Sequence, residues 1–453
     1  MSELIAAIAT PPGPGGVGIL RLSGPGAAQA AAHIFQPLGK TPLSEAPDRQ
    51  LLYGRVFDQA GELLDTGLAF VSRAPHSYTG EETAEIQCHG SPVVLSLALD
   101  ALCAAGARLA RPGEFTQRAF LNGKLDLTQA EAVIDLIDAE TADAAANAAG
   151  QVAGAMRKRI DPVYDSWVDI CAHFHAVLDY PDEDIDPFEL SQLESALQAS
   201  SRTLSALLSS CHRGRMVRSG VKITILGSPN AGKSSLLNAL SGFDRVIVTD
   251  IPGTTRDTVE QTVTLGRHLL RLVDTAGIRD TEDVIEKIGV DRSVEAAKDC
   301  DAALFVVDDS RPLTDEDRRA MDAALEAPEA IAVLNKQDLG AVIEPSDLPF
   351  SYIVPVSCKD GTGFDLLEQA FDMLFPDDAP CDGSLLTNAR QADAIVRAKK
   401  SVDAALRSLR AGFTPDAVLV DLEAAMRALG EVTGRTMRED ITNRIFERFC
   451  VGK

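Results

Sequence analysis

The chain lacks long apolar runs, paired cysteines and an excess of basic residues. No stretch approaches the ~20 apolar residues of a membrane-spanning helix, so no membrane partner is expected. The eight cysteines show neither a CxxC pair nor zinc-ligand spacing, which is typical of a protein in a reducing cytoplasm. With 43 Lys and Arg against 67 Asp and Glu, the net charge is −24. This charge excludes binding of nucleic acid by bulk electrostatics, so DNA is not expected as a partner, and any RNA partner would need local basic patches or a partner protein.

The pattern of apolar and polar residues changes three times along the 453 residues of the sequence. Residues 1–122 mix short β-like runs with turns and predict an α+β domain. Residues 123–214 are amphipathic at helical spacing, residues 215–379 alternate strands and helices as in a three-layer α/β domain, and residues 380–453 return to helix. Since this tail is short and amphipathic, we expect it to pack on the first helical segment. The result is a discontinuous all-α domain with the α/β domain inserted into it.

The strongest motif is the octet Gly227-Ser-Pro-Asn-Ala-Gly232-Lys233-Ser234, a complete GxxxxGK[ST] pattern between the strand-like VKITIL and the helix-like SSLLNALSG. Its glycines let backbone N–H groups wrap phosphates, and the helix N-terminus adds positive potential. Lys233 is predicted to reach the β- and γ-phosphates during catalysis, and the Ser234 hydroxyl to bind Mg²⁺.

Three later motifs favour GTP over ATP. The run Asp274–Gly277 follows a strand-like segment and suits the Mg²⁺ water shell and the γ-phosphate. In Asn335-Lys-Gln-Asp338 the Asp carboxylate can accept the ring N–H and exocyclic amine of guanine, donors that adenine lacks in that arrangement. Ser357–Lys359 lies where a GTPase loop offers a backbone N–H to the guanine oxygen. GTP binding is therefore predicted, and a P-loop ATPase is disfavoured.

The polar loop Thr249–Asp257 is the predicted first switch. Ile278 follows the DTAG motif, so the Gln that orients water in Ras-like proteins is missing. Glu286 is a candidate for this task through a bridging water, and a solvated helix residue is its other interpretation. The predicted nucleotide contacts are Asn230, Ala231, Gly232, Lys233, Ser234, Ser235, Thr249, Asp250, Ile251, Pro252, Gly253, Thr254, Thr255, Asp274, Thr275, Ala276, Gly277, Asn335, Lys336, Asp338, Ser357, Cys358 and Lys359.

The chain resembles the MnmE (TrmE) family of tRNA-modifying GTPases. The resemblance covers essentially the whole chain and includes TPPGPGGVGILRLSG at 10–24, SYTGEETAEIQCHG at 77–90, RPGEFTQRAFLNGKLDLTQAEAVIDLI at 111–137, the GTTRD loop and the terminal CVGK. It implies an N-terminal domain that binds a tetrahydrofolate one-carbon carrier (5,10-methylene- or 5-formyl-tetrahydrofolate) and mediates homodimerisation. By position, Arg21, Glu85, Lys124 and Lys453 match its folate contacts. Read without the resemblance, each is an ordinary surface charge.

The resemblance also implies hydrolysis activated by potassium-dependent pairing of G domains. Asn230, Thr249, Ile251 and Thr254 match the potassium ligands, Thr255 the Mg²⁺-binding Thr, and Glu286 the general base. A cation between the phosphates would neutralise developing charge as an arginine finger does. Pro252 is a local departure that stiffens the loop.

The family acts with MnmG, which uses FAD and NADH, to place an aminomethyl or carboxymethylaminomethyl group on carbon 5 of the wobble uridine of tRNA. The run Gly13–Gly18 satisfies GxGxxG but leads into a strand, so redox cofactors are expected only from the partner. Cys450 is either a nucleophile in the modification or a structural cysteine. A regulatory GTPase that only switches is the alternative from another class, and bound folate would distinguish the two.

Overall fold

The computed structural model describes residues 3–179, 190–243, 261–273, 289–376, 380–436, 445–446, 449–450 and 452. The chain divides into two compact units. One comprises residues 1–137, 151–205 and 393–453, and the other residues 138–150 and 206–392. The finer division into segments 1–122, 123–214, 215–379 and 380–453 stays a prediction.

The N-terminal part of the first unit is built on a seven-stranded sheet in the order β3-β4-β5-β6-β2-β1-β7. All neighbours are antiparallel except β1 and β7. Alternate side chains such as Leu20, Leu22 and Ile86 are fully buried against two helices, because successive strand residues face opposite sides of a sheet. The elements are β1 Ile5–Ile8, β2 Gly15–Ser23, α1 Ala27–Ile34, β3 Phe35–Pro37, β4 Leu52–Phe57, β5 Leu63–Ser72, β6 Thr83–Gly90, α2 Pro92–Ala104, β7 Arg108–Leu109 and α3 Glu114–Leu121.

A series of helices follows, as the amphipathic spacing predicts. The single tryptophan, Trp167, is fully buried and donates its indole N–H to Ser200 Oγ at 3.0 Å. This bond joins two helices of the first unit and satisfies a polar group that burial would otherwise leave unpaired. The helices are α4 Leu127–Ile137, α5 Ala142–Val152, α6 Ala155–Asp179, α7 Leu190–Ser209 and α8 Cys211–Ser219.

The second unit contains a six-stranded sheet in the order β13-β12-β11-β8-β10-β9, parallel except for the edge strand β9. Its central strand β11 is buried on both faces: Leu304 and Val306 belong to one core, Phe305 and Val307 to the other. Such a continuous apolar strand is typical of a parallel sheet covered by helices. The elements are β8 Val221–Leu226, α9 Lys233–Phe243, β9 Gln261–Leu265, β10 His268–Val273, α10 Gly289–Lys298, β11 Ala302–Asp308, α11 Asp315–Ala324, β12 Ala330–Asn335, β13 Tyr352–Pro355 and α12 Phe364–Leu374.

Two further helices, α13 Ala389–Arg410 and α14 Pro415–Thr433, return the chain to helical structure. Within the first unit α14 packs on α6, and Ser201 of α7 donates to Asp403 of α13 at 2.7 Å. The C-terminal helices therefore complete the helical domain that begins before the inserted α/β sheet. This confirms the predicted architecture. Within the described part of the chain, no helix has the length and apolarity to cross a bilayer.

Candidate functional sites

The phosphate loop connects the end of β8 to the start of α9. Lys233 Nζ donates to the carbonyl oxygens of Gly227 and Ser228 at 2.8 and 2.9 Å, and burial lowers the pKa of Lys233. Asn230 has φ 64° and Gly232 φ 102°, and a β-carbon at Gly232 would collide with Asn335 Nδ2. The loop thus holds a partly desolvated cation within a backbone that only glycine fits at its final turn.

Asn335 joins the phosphate loop to the base-recognition loops. Its buried Nδ2 donates to the Ala231 carbonyl at 3.0 Å, while its Oδ1 accepts from the Cys358 backbone N–H at 3.4 Å. The predicted residues Ala231, Asn335 and Cys358, far apart in sequence, are therefore brought together by one amide. The Asn335 side chain therefore fixes the phosphate loop relative to the loop that contains Cys358.

Asp338 presents an ionised carboxylate at the carboxyl end of β12. Hydrogen bonding from Lys359 Nζ (3.2 Å), followed by that from Ser357 Oγ (3.1 Å), lowers the pKa of Asp338. An ionised carboxylate is the acceptor needed for the two N–H donors of guanine. The structure thus brings Asp338, Ser357 and Lys359 together, and their contact with guanine stays a prediction.

Two acidic residues that the motifs do not include organise the base loop. Lys336, in the left-handed conformation at φ 67°, pairs through Nζ with Asp308 Oδ2 at 2.6 Å. Asp309 accepts from Gln337 Nε2 at 2.5 Å and from the Ile343 backbone N–H at 2.9 Å. The sequence signal that could have identified them is an acidic pair directly after the apolar strand β11, at the same sheet edge as the nucleotide motifs.

Several predicted residues lie outside the described part of the chain. They are the switch residues Thr249, Asp250, Ile251, Pro252, Gly253, Thr254 and Thr255, the Asp274, Thr275, Ala276 and Gly277 motif, Glu286 and Lys453. Ser234 and Ser235 are described and begin α9 beside Lys233. Asn230 is exposed, which leaves its side chain accessible at the loop surface.

The first unit contains a second charged site. Arg21 of β2 and Glu85 of β6 are direct cross-strand partners, with Arg21 Nε 2.7 Å from Glu85 Oε1. Arg21 Nη1 also donates to the Gly452 carbonyl at 3.2 Å, and its guanidinium lies 6.0 and 5.9 Å from the ring centroids of Tyr78 and Phe115. A carboxylate, a guanidinium and two aromatic rings thus converge next to the C-terminal CVGK segment.

Lys124 lies at the loop that carries Tyr78. Its exposed Nζ donates to the Pro75 carbonyl at 3.0 Å, and its stem lies beside Gly80. Tyr78 itself donates to or accepts from Thr116 Oγ1 at 2.9 Å. The sequence motifs contained Tyr78 and Phe115 without marking them, because an aromatic residue in a turn or at the start of a helix has no spacing that distinguishes a ligand contact from ordinary packing.

The C-terminal segment is anchored by aromatic residues. Phe446 and Phe449 pack with Leu127 and Ala130 of α4, and the Cys450 carbonyl accepts from the Gly113 N–H at 3.2 Å. Cys450 itself is exposed. Its side chain is therefore accessible, and the segment's attachment rests on its backbone and on the two phenylalanines.

A phosphate loop tied to an Asn-Lys-x-Asp loop at the carboxyl edge of a mainly parallel sheet defines a P-loop GTPase, a hydrolase that binds GTP. The family model "GTP-binding protein TrmE N-terminus" matches residues 4–124, and the model "MnmE helical domain" matches residues 127–450. The chain belongs to the MnmE family.

Curated relatives extend over the full chain. A protein of Roseiflexus sp. (strain RS-1) named tRNA modification GTPase MnmE is 44% identical over 100% of this chain and 99% of its own length. One of the same name from Thermoanaerobacter pseudethanolicus is 41% identical with the same coverage. Among solved structures, the G domain of the T. maritima FeoB iron transporter is similar at 24% identity, covering 34% of this chain and 98% of its own, with TM-score 0.26.

Proposed function

We propose that this GTPase modifies carbon 5 of the wobble uridine of certain tRNAs, adding an aminomethyl or carboxymethylaminomethyl group whose one-carbon unit comes from tetrahydrofolate. Support comes from the full-length relatives named tRNA modification GTPase and from the Arg21–Glu85–Gly452 site in the first unit. A GTPase that only switches has no use for such a site. This observation carries the proposal.

The residues of the first unit fit a folate. The Arg21 and Glu85 side chains are 25% and 18% exposed, so both are reachable from solvent while held in fixed geometry. Glu85 can accept from the amino and ring N–H groups of a pterin, Arg21 and the exposed Tyr78 ring can contact its anionic and conjugated parts, and Lys124 can pair with a glutamate carboxylate. The bound carrier would supply the one-carbon unit. Lys453 is proposed as a further contact.

The nucleotide site fits the two metal ions that the function requires. Ser234, at the first turn of α9, can offer a hydroxyl oxygen to Mg²⁺, with Thr255 as second protein ligand. The exposed Asn230 amide can offer an oxygen to K⁺, together with Thr249, Ile251 and Thr254. When bound, these cations would supply charge neutralisation at the phosphates. The chain's own Lys233 orients the phosphates, and Glu286 is proposed to orient water.

The proposed partners are inferred from the charge of the chain and from its family. Its charge of −24 argues that tRNA is held with the help of another protein, and MnmG, carrying FAD and NADH, is the proposed partner. We propose a homodimer that assembles with MnmG in the cytoplasm. Cys450, exposed next to the folate-type site, is proposed to take part in the modification.

Steady-state GTP hydrolysis in KCl and in NaCl tests the cation mechanism. We expect strong stimulation by potassium that Asn230→Ala abolishes while GTP affinity changes little. Gln192→Ala, an exposed amide of α7, is the control. Equal rates in the two salts would remove the potassium mechanism.

Calorimetric titration with 5-formyl-tetrahydrofolate tests the one-carbon site. Glu85→Gln is expected to weaken binding at least tenfold, since a charge-assisted hydrogen bond is lost. Asp65→Asn is the matched control, because this carboxylate of the same sheet pairs with His89 instead. Absence of folate binding by the wild-type chain would favour the purely regulatory GTPase.

Modification itself is measured by incubating the chain with MnmG, GTP, the folate, NADH and unmodified tRNA, then analysing nucleosides by mass spectrometry. A mass gain at the wobble uridine that requires both proteins is expected. An unaltered nucleoside under conditions where folate and GTP both bind would contradict the proposal.

A further inference from the structure

The loop between β11 and α11 carries an ion pair between a partly exposed arginine and a buried aspartate, and this pair reaches the phosphate loop. Arg311 Nη1 donates to Asp317 Oδ2 at 2.8 Å, and Nη2 lies 3.3 Å from Oδ1. The same Nη2 donates to Ser228 Oγ at 3.2 Å. Ser228 is the second residue of the phosphate-loop octet and is 4% exposed. One guanidinium therefore bridges α11 and the loop that wraps the phosphates.

Asp317 is fixed by its place in the helix. It is the third residue of α11, and it completes a reciprocal capping pair with Thr314. Its side chain is fully buried. Burial would raise the pKa of Asp317, but hydrogen bonds with Arg311, Ser228 and Thr314 outweigh it and hold the pKa at about 2. Burial lowers the pKa of Lys233, and the negative charge of Asp317 offsets part of that lowering, so the carboxylate acts on the phosphate-binding lysine.

We propose that Arg311 is a positioning residue for the phosphate loop. Paired with Asp317, it holds Ser228 Oγ and thereby the backbone whose N–H groups bind the phosphates. Without Arg311, Ser228 loses its donor and the Asp317 charge stays uncompensated beside a site that must accept a triphosphate. This inference rests on guanine-nucleotide binding and is independent of the tRNA proposal.

The experiment measures release of a fluorescent GDP analogue from Arg311→Gln by stopped flow, together with KM and kcat for GTP and the melting temperature without nucleotide. We expect release to be about tenfold faster, because a charged, partly buried hydrogen bond to the loop is lost. The KM for GTP is expected to rise more than kcat falls, since Arg311 orders the loop without touching the reacting atoms.

Arg267→Gln is the matched control. Arg267 is 35% exposed, against 34% for Arg311, and it pairs with Asp372 at 2.9 Å. Arg267 immediately precedes β10, which runs parallel to β8. It therefore lies at the amino-terminal end of these strands, whereas the phosphate loop follows the carboxyl end of β8. This variant removes a comparable ion pair from the same unit, and its release rate is expected to equal that of the wild type.

A double-variant cycle tests whether Arg311 acts through Ser228. Ser228→Ala keeps the ion pair intact and should accelerate release to a similar extent, and combining it with Arg311→Gln should add little. Adding Asp317→Asn to Arg311→Gln should restore part of the affinity by removing the uncompensated charge. Additive losses in the cycle, a Ser228→Ala rate equal to wild type, or equal rates for Arg311→Gln and Arg267→Gln would each overturn the proposal.

Discussion

At the scale of the residue, we expect the carboxylate of Asp338 to determine which base the nucleotide site accepts. In Asp338→Asn one acceptor oxygen becomes an amide donor that faces the guanine amine, so GTP affinity should fall by about 100-fold. Xanthosine triphosphate carries an oxygen where guanine carries that amine, and its affinity should rise. Competition binding with both nucleotides checks this.

The control for that substitution is Asp347→Asn, at an exposed carboxylate in the short turn Pro345–Asp347. It should leave both affinities unchanged. If Asp338→Asn lost GTP binding without any gain for the xanthine nucleotide, Asp338 would act on loop structure and not on the base.

Glu114 gives the first unit a predictable acid sensitivity. Burial alone would raise the pKa of Glu114. Hydrogen bonds from Arg108, the Arg111 backbone N–H and Arg118 lower it by more than burial raises it, from an ordinary 4.5 to about 2. Because the folded-state pKa is depressed, this stabilisation is complete above about pH 4.5 and is lost as the pH falls towards 2. Glu114→Gln should therefore lower stability at pH 7 by on the order of 3 kcal/mol, with the difference from wild type shrinking through that window.

Unfolding is followed by the emission of Trp167, which lies in the same unit as Glu114. Glu62→Gln, at an exposed carboxylate of the same sheet region, should show no such pH dependence. A difference between Glu114→Gln and wild type that stayed constant down to pH 2 would mean that shape, and not charge, accounts for the loss.

At the scale of elements, the turn from β8 into α9 tolerates no side chain at Gly232. In Gly232→Ala the β-carbon would meet Asn335 Nδ2, and φ 102° is unfavourable for alanine. GTP affinity should drop by at least about 100-fold. Gly340→Ala has a similar φ of 98° but nothing within 4 Å of its β-carbon, so it should retain GTP binding in the same filter assay. If Gly232→Ala and Gly340→Ala lost GTP affinity equally, backbone strain alone would account for the effect.

The sequence predicted elements well where the pattern is local. The octet fell between β8 and α9, and the apolar runs VKITIL and AIAVLN became β8 and β12, because a continuous apolar run bounded by turns suits a doubly covered parallel strand. The Arg311–Asp317–Ser228 cluster could not be predicted. Its members are contacts between separate loops, and no spacing rule connects Ser228 to a residue 83 positions later.

The N-terminal site shows the same limit. Arg21 and Glu85 were predicted from a family resemblance, whereas their pairing depends on the register between β2 and β6, which the strand patterns leave open. Tyr78 and Phe115 joined the site only once the fold placed their rings beside the guanidinium.

At the scale of the molecule, we expect the C-terminal segment to contribute to the proposed folate site of the first unit, because Gly452 contacts Arg21. A chain ending after Phe449 lacks the Gly452 carbonyl that Arg21 contacts, so folate affinity should fall by about tenfold or more while GTP hydrolysis persists. A chain ending after Gly452 separates the effect of Lys453 from that of the carbonyl. If the chain ending after Phe449 kept the folate affinity of the full chain, the C-terminal segment would not contribute to folate binding.

The contact between Arg21 and Gly452 joins residues 431 positions apart. During synthesis the strands around Arg21 emerge from the ribosome early, yet the site they form must wait for the inserted GTPase sheet and the returning helices to be translated. A chain interrupted between residues 360 and 451 would carry the nucleotide motifs up to Lys359 but would lack the Gly452 carbonyl that Arg21 contacts. We therefore expect that only chains translated through Gly452 combine the nucleotide site with the proposed one-carbon site, and that prematurely terminated products bind nucleotide at most.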